Sequence, residues 1–224
     1  MSAPFRDRFF FRHRRDAGRQ LAGRLVSHHG DRDDVLVLGL ARGGVPVAFE
    51  VAQALHLPLD VLIVRKLGVP GQRELAMGAI ASGGVRVLNE SVLRHISHAD
   101  AVIEEVAAEE MRELDRRELE YRSGRAPLEV RRKVVLVVDD GLATGASMRA
   151  AVLALRQREA ARIIVAVPVG SPESCTRLSA VADEVVCLYT PPAFGAVGEL
   201  YENFSQTPDD EVRALLAAAN SRAH

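Results

Sequence analysis

The chain has 224 residues, 48% of them hydrophobic, and a formal net charge of −1. That length fits one domain with additions, and that hydrophobic share is enough for a full core. The near-neutral charge argues against a general nucleic-acid binder, and no apolar run is long enough to span a membrane.

Residues 5–19 are rich in arginine and include Phe9, Phe10 and Phe11. Three phenylalanines are too few for a signal-peptide core, and Asp7 and Asp16 argue against a transit peptide. The favoured reading is a segment that packs its aromatics on the domain and leaves its arginines in water; the alternative is an element for base recognition or dimerisation. Asp16 to His28 predicts an amphipathic helix with Leu21, Leu25 and Val26 on one side. Val35 to Leu38 is a buried-type strand. It runs into G-L-A-R-G-G-V-P, Gly39 to Pro46, and a helix from about Val47 to Leu55. Glycines at a strand end let backbone donors approach an anion, and Arg42 offers a fork that matches phosphate oxygens. A glycine-rich turn alone is more often only a turn, so this loop gains weight from a second one further on.

Leu59 to Val64 predicts a third strand, ending at Arg65 and Lys66. Of the 29 Lys and Arg residues, only Lys66 and Lys133 are lysines, which singles out Lys66. Two cations at a strand end point to the crevice there, or else cap the sheet edge in solvent. Gly68, Pro70 and Gly71 break regular structure in Leu67 to Glu74. Ala76 to Ala81 and Val85 to Leu88 read as a hairpin around Ser82-Gly83-Gly84. Ala99 to Tyr121 predicts a long charged helix with Ile103, Ala107, Leu114 and Tyr121 near one face. Glu113 and Arg117, like Glu118 and Arg122, are spaced to pair. Tyr121, Arg122 and Arg125 are secondary candidates for the crevice.

Val134 to Val138 is five apolar residues, four of them β-branched, which suits a strand buried on both faces of a parallel sheet. It ends in Asp139 and Asp140, then Gly141 to Ser147, and then a helix over Met148 to Arg156. Gly145 and the helix N-terminus fit an anion, with Thr144 and Ser147 as further donors. Two carboxylates would repel a phosphate, so they suit ribose hydroxyls or a hydrated Mg²⁺ instead. A Walker A loop fails because position 146 is Ala, and a dinucleotide fingerprint fails because the loop is G-x-x-x-G. A receiver domain fails because no lysine follows Lys133.

Arg162 to Val167 is the next strand, followed by a helix from Glu173 to about Val181 and a strand over Glu184 to Leu188. Cys175 and Cys187 have no metal-type spacing and read as small core residues in a reducing compartment, so a cytoplasmic location is expected. Thr190 to Phe204 is irregular and holds Phe194, Tyr201 and Phe204, which could cover a crevice and stack on a planar base or simply pack on the core. Thr207-Pro208-Asp209-Asp210 offers an N-cap, proline at N1 and first-turn acids for a helix to about Ala219. Strands and helices alternate from Val35 to Leu188, which predicts an α/β fold with a doubly wound, mainly parallel sheet flanked by helices.

A phosphate, a ribose diol and a metal-bound pyrophosphate meet in one ligand, phosphoribosyl pyrophosphate (PRPP). V-V-D-D-G-L-A-T-G-A-S, Val137 to Ser147, resembles the PRPP signature of the type I phosphoribosyltransferases. The resemblance implies a single domain over residues 1–224, with a core at about 35–188, an insertion at about 85–132 and a variable hood whose first candidate is 190–204 and second the N-terminal segment. It implies that Asp139 and Asp140 hold the ribose hydroxyls and, directly or through water, Mg²⁺. Ala143, Thr144, Gly145, Ala146 and Ser147 would wrap the 5′-phosphate. Ala41, Arg42, Gly43 and Gly44 fall where the family binds pyrophosphate, and Arg65 and Lys66 where members carry basic residues. Residues 67–74, with Arg73 and Glu74, would form the loop that closes over the reaction. The implied activity is transfer of the phosphoribosyl group to an unidentified nitrogen acceptor, expected to be a nucleobase, with Arg42 and Lys66 stabilising the leaving pyrophosphate. Ala143 stands where some purine-specific members have an acid, which counts against that arrangement. The alternative is a PRPP-sensing regulator without transferase activity. Neither a membrane nor nucleic acid is an expected partner; a homodimer is the commonest oligomer.

Overall fold

In a computed structural model, residues 10–30, 32–122 and 125–221 are described. The elements run α1 (Arg14–His29), β1 (Val35–Leu40), α2 (Gly44–Leu55), β2 (Leu59–Leu62), β3 (Val64–Val69), β4 (Gln72–Ala81), β5 (Val85–Leu88), α3 (Glu90–Leu93), α4 (Ala99–Arg122), β6 (Val134–Val138), α5 (Ala146–Gln157), β7 (Arg162–Val169), α6 (Pro172–Ser179), β8 (Glu184–Tyr189), a 3-10 turn (Val197–Leu200) and α7 (Asp209–Asn220). Phe9 and the residues before it, and Ser123 and Gly124, lie outside the described residues.

β2, β1, β6, β7 and β8 form one parallel sheet in that order, and β3, β4 and β5 a separate antiparallel sheet. Alternation along β1 divides the core. Val35 and Val37 join one cluster with Leu21 and Leu25 of α1, the α2 face and Leu216 of α7. Leu36, Leu38 and Leu40 join the other, with Val152 and Leu155 of α5 and Leu178 of α6. Helices on both faces explain why β6 is buried at every position and carries no polar residue.

The chain leaves β1 through α2 on one face and β6 through α5 on the other. The sheet therefore switches direction between β1 and β6, and a crevice opens where their carboxyl ends part. The loops predicted to bind anions leave these two strands.

Several expectations are corrected in detail. The strand predicted over Leu59 to Val64 is two strands in different sheets: β2 stops at Leu62, and β3 starts at Val64. Arg65 and Lys66 thus lie within β3 rather than at the end of a core strand. Leu67 to Glu74 is largely regular, because only Pro70 and Gly71 turn the chain between β3 and β4, Gly71 at φ +79°. Arg73 and Glu74 belong to β4, and their side chains lie outside the described part. Val26 is 49% exposed, since α1 buries Ala17, Gly18, Leu21, Ala22 and Leu25 instead. The helix at the C-terminus is capped by Pro208 with no side-chain hydrogen bond, rather than by Thr207. In α4 the buried residues are the four expected. Glu113 pairs with Arg117, but Arg122 turns to Asp60 of β2. Among the described residues, no helix is long and apolar enough to cross a membrane.

Candidate active site

β6 ends in Asp139, and the peptide N–H of Asp140 donates to its Oδ1 at 2.8 Å. The loop from β1 lies directly on this turn. A Cβ on Gly43 would sit 2.0 Å from Asp140 Oδ2, and one on Gly44 2.5 Å from the carbonyl oxygen of Val138. Glycine at both positions is therefore a packing requirement, since any side chain would separate the two loops. The Ala41–Arg42 peptide is cis.

Arg14 of α1 donates through Nε to Asp140 Oδ2 at 2.7 Å and through Nη1 to the carbonyl oxygen of Ser205. Its guanidinium stacks 3.9 Å over the Phe204 ring. The Tyr201 hydroxyl donates to the Asp140 carbonyl at 2.7 Å. Burial, and next the neighbouring Asp140, push the Asp139 carboxyl well above the usual carboxylate range. Burial also pushes Asp140 up, against the downward pull of Arg14. Arg14 is paired with Asp140 in this acidic turn, and a metal ion or hydroxyl donors of a ligand would favour the charged form of the two acids.

Beyond Asp140 the chain turns through Gly145, at φ +71°, into α5. α6 supports this turn from behind. Ser171 Oγ and Ser174 Oγ both donate to the Ala143 carbonyl, at 3.2 and 2.6 Å, and Arg177 donates to that of Thr144. Those carbonyls face α6, while Ala143, Thr144, Ala146 and Ser147 are exposed. Thr144, Gly145, Ala146 and Ser147 line a pocket of about 590 Å³, with Lys66, Arg149 and Arg177 as its cations. Its far wall is the antiparallel sheet, through Val64, Ala79 and Val87.

The period of two in β3 separates its two cations. Lys66 lines the pocket, whereas Arg65 pairs with Glu110 of α4 at 2.6 Å. Arg42 lies 3.5 Å from Asp209 of α7, and the Tyr121 hydroxyl donates to the same Asp209 oxygen. Hydrogen bonding from Tyr121 lowers the Asp209 pKa, and burial raises that of Tyr121. Arg122 and Arg125 both pair with Asp60, away from the loops.

The two segments named as hood candidates pack against each other. Phe11 bridges to Tyr201, Phe10 stacks on Tyr189 at 4.5 Å, and Tyr201 stands 4.9 Å from Phe204. Gly141 touches this cover, because a Cβ there would meet Val197 Cγ1 at 2.5 Å. Arg14 and the α6 residues behind the loop escaped the sequence reading, which took Tyr201 only as a hood aromatic and Asp209 only as a first-turn acid. Each acts here on a residue far away in the chain, and no local pattern marks that contact.

A family model described as "Phosphoribosyl transferase domain" matches residues 12–203. Two proteins of Mycobacterium tuberculosis, provisionally named phosphoribosyl transferases in strains H37Rv and CDC 1551, are each 51% identical over 214 residues, 96% of this chain and 47% of theirs. The chain thus spans about half the length of these curated relatives. The crystal structure of TT1426 from Thermus thermophilus superposes with a TM-score of 0.82 at 44% identity, covering 93% of this chain and 98% of that one.

Proposed function

This chain belongs to the phosphoribosyl transferase domain family, and from that premise we propose that its crevice binds PRPP with Mg²⁺, transfers the phosphoribosyl group to a nitrogen acceptor, a nucleobase, and releases pyrophosphate. The observation that carries this reading is the contact of the two strand-end loops at the switch point: Gly43 lies against Asp140, and the 144–147 turn opens on a pocket that contains Lys66.

In this reading the exposed 143–147 turn and the start of α5 receive the 5′-phosphate with backbone N–H groups and the hydroxyls of Thr144 and Ser147. Asp139 and Asp140 orient the ribose hydroxyls. Two carboxylates are too few to hold an ion alone, which fits Mg²⁺ bound jointly with substrate oxygens. When bound, Mg²⁺ would neutralise charge on the pyrophosphate. Ala41 to Gly44, held against Asp139 and Asp140 by the two glycines, would receive the leaving group beside the acidic turn, with Arg42 as its cation. Lys66 adds a cation from the facing sheet, whereas Arg65, neutralised by Glu110 and absent from the pocket lining, is dropped from the PRPP site. Positive charge builds on the ribose ring as the bond to pyrophosphate breaks, and the acidic pair favours it there. The chain's contribution is positioning and fixed charge. The cover formed by Phe10, Phe11, Tyr201 and Phe204 borders the acceptor side.

Thermal unfolding with PRPP, with and without Mg²⁺, tests the reading. A ligand at one hundred times its dissociation constant adds about 2.7 kcal/mol, and the rise is expected to need Mg²⁺. No shift with PRPP, ribose 5-phosphate or nucleoside monophosphates would remove the assignment. Base-dependent pyrophosphate release then separates a transferase from a PRPP sensor, which binds and releases nothing. Asp139→Asn with Asp140→Asn is expected to weaken Mg-PRPP binding and leave the fold intact; normal binding by this double variant would sink the role of the pair. Arg42→Ala is expected to weaken pyrophosphate binding more than ribose 5-phosphate binding, and equal losses would take Arg42 out of the leaving-group site.

A further inference from the structure

Cys175 and Cys187 are twelve positions apart in the chain and belong to different elements, α6 and β8. The fold brings their sulfurs together above Gly170. A Cβ there would lie 2.9 Å from Cys175 Sγ and 3.5 Å from Cys187 Sγ. The two thiols are close enough for Cys175 to act on the ionisation of Cys187, whose Sγ donates to the Tyr189 carbonyl at 3.2 Å. Both are free and partly exposed.

What surrounds the pair gives it a consequence. Gly170 bridges to Leu142, whose N–H donates to the Val169 carbonyl and whose own carbonyl accepts from Ser171. Cys175 shares α6 with Ser174 and Arg177, and these, with the N-cap Ser171, hold the carbonyls of Ala143 and Thr144. The thiols therefore sit directly behind the 143–147 turn.

We propose that Cys175 and Cys187 are a redox pair that a hydroperoxide converts to an intramolecular disulfide, clamping α6 to β8 behind that turn. The Cys175 sulfur attacks the peroxide oxygen, the O–O bond breaks, and one water or alcohol leaves with formation of a sulfenic acid. The Cys187 sulfur then displaces hydroxide from that sulfenic sulfur, and the Cys187 proton leaves with it as water. Two thiols and one hydrogen peroxide thus give one disulfide and two waters. Burial and the adjacent Cys175 thiol raise the Cys187 pKa and make it the poorer nucleophile, so the first attack on peroxide is assigned to Cys175. This inference is independent of what the crevice binds.

The test is mass spectrometry of the folded protein after hydrogen peroxide. Trypsin cuts after Arg162, Arg177 and Arg213, so the two cysteines fall on separate peptides, 163–177 and 178–213. The expected result is a loss of two hydrogen atoms, a joined pair of these peptides, and reversal by dithiothreitol. Cys175→Ser and Cys187→Ser should each abolish the joined species. Cysteine oxygenated without joining, joining only between molecules, or joining only in denaturant would each overturn the proposal. Hydrogen exchange tests the clamp separately: amides over 142–147 should exchange more slowly after oxidation, and unchanged exchange in the joined protein would overturn that half.

Discussion

Asp140, a proposed site residue, has its ion-pair partner 126 positions away in the chain. Its partner Arg14 is slightly more buried than Asp140, with side-chain exposures of 12% and 15%. Removing one member of a buried ion pair leaves the other uncompensated, which typically costs about 3 kcal/mol. Arg14→Ala should therefore lower the melting temperature by roughly 6–12 °C in a chain of this size, and adding Asp140→Asn should recover part of the loss. A double-mutant cycle by thermal unfolding that yields no coupling would show the pair to be ornamental. At Asp139 burial dominates, as it does at Asp140. The folded-state pKa of Asp139 is raised above the unfolded value of 3.8, so the native state binds more protons and stability falls as pH rises through that window. Asp139→Asn keeps an acceptor for the Asp140 N–H and removes the buried charge. We expect it to raise the melting temperature by about 2–4 °C for each ~1 kcal/mol relieved, while PRPP affinity drops. His29 supplies a third case. Its Nδ1 is buried without a partner among the described residues, and burial lowers its pKa from 6.5, against the upward pull of Glu184. His28, Arg162 and Arg32 reinforce the lowering. The unfolded chain then binds the extra proton, so this contribution to stability is complete above 6.5 and is lost as pH falls through it. Unfolding titrations between about pH 7.5 and 5.5 should be flatter for His29→Leu than for the parent protein. The loop residues Asp139 to Ser147 and Ala41 to Gly44 were legible because their chemistry is local: small residues, acids and a strand end. Arg14 was not, because one arginine among many in a basic segment carries no mark of where it will point.

α7 lies beyond the stretch matched by the family model, yet it reaches the 41–44 loop through Asp209. Arg42 is about a quarter exposed, so its link to Asp209 is worth no more than ~1 kcal/mol. Asp209 competes for the same guanidinium that pyrophosphate would take. Asp209→Asn is accordingly expected to tighten pyrophosphate binding about two- to fivefold, the equivalent of that energy. Titration calorimetry on Asp209→Asn and on Asp209→Asn with Arg42→Ala would check it. A gain that persists without Arg42 would assign the effect to something else. The same reasoning explains a boundary the sequence missed. Leu59 to Val69 is nearly continuous in β propensity, so nothing local marks Ile63 as the point where the chain leaves the parallel sheet. That break is set by Ser82, whose Oγ accepts from the Ile63 N–H and whose N–H donates to the Ile63 carbonyl. These bonds hold the antiparallel sheet on the core and bring Lys66 to the pocket.

Across the whole molecule, the two sheets differ in how far they are withdrawn from water. β6 is buried at all five positions, while β3 is only partly covered. Amides of Val134 to Val138 should need global unfolding to exchange, and those of Val85 to Leu88, on the outer strand β5, should exchange by local opening. Hydrogen exchange that found both sets equally protected would mean that the sheets open as one unit. This contrast also shows where sequence sufficed. The apolar period, the glycine-rich strand ends and the acidic pair determined the parallel core, its helices on both faces and the two loops at the switch point, because those features arise from residues that are neighbours in the chain. The tertiary structure alone decided which cation faces the pocket, which arginine pairs with Asp140, how Phe10 and Phe11 pack with Tyr189, Tyr201 and Phe204, and that two cysteines meet behind the loop. Side chains brought together from distant segments are selected by packing and burial over the whole fold, and no local pattern carries that information.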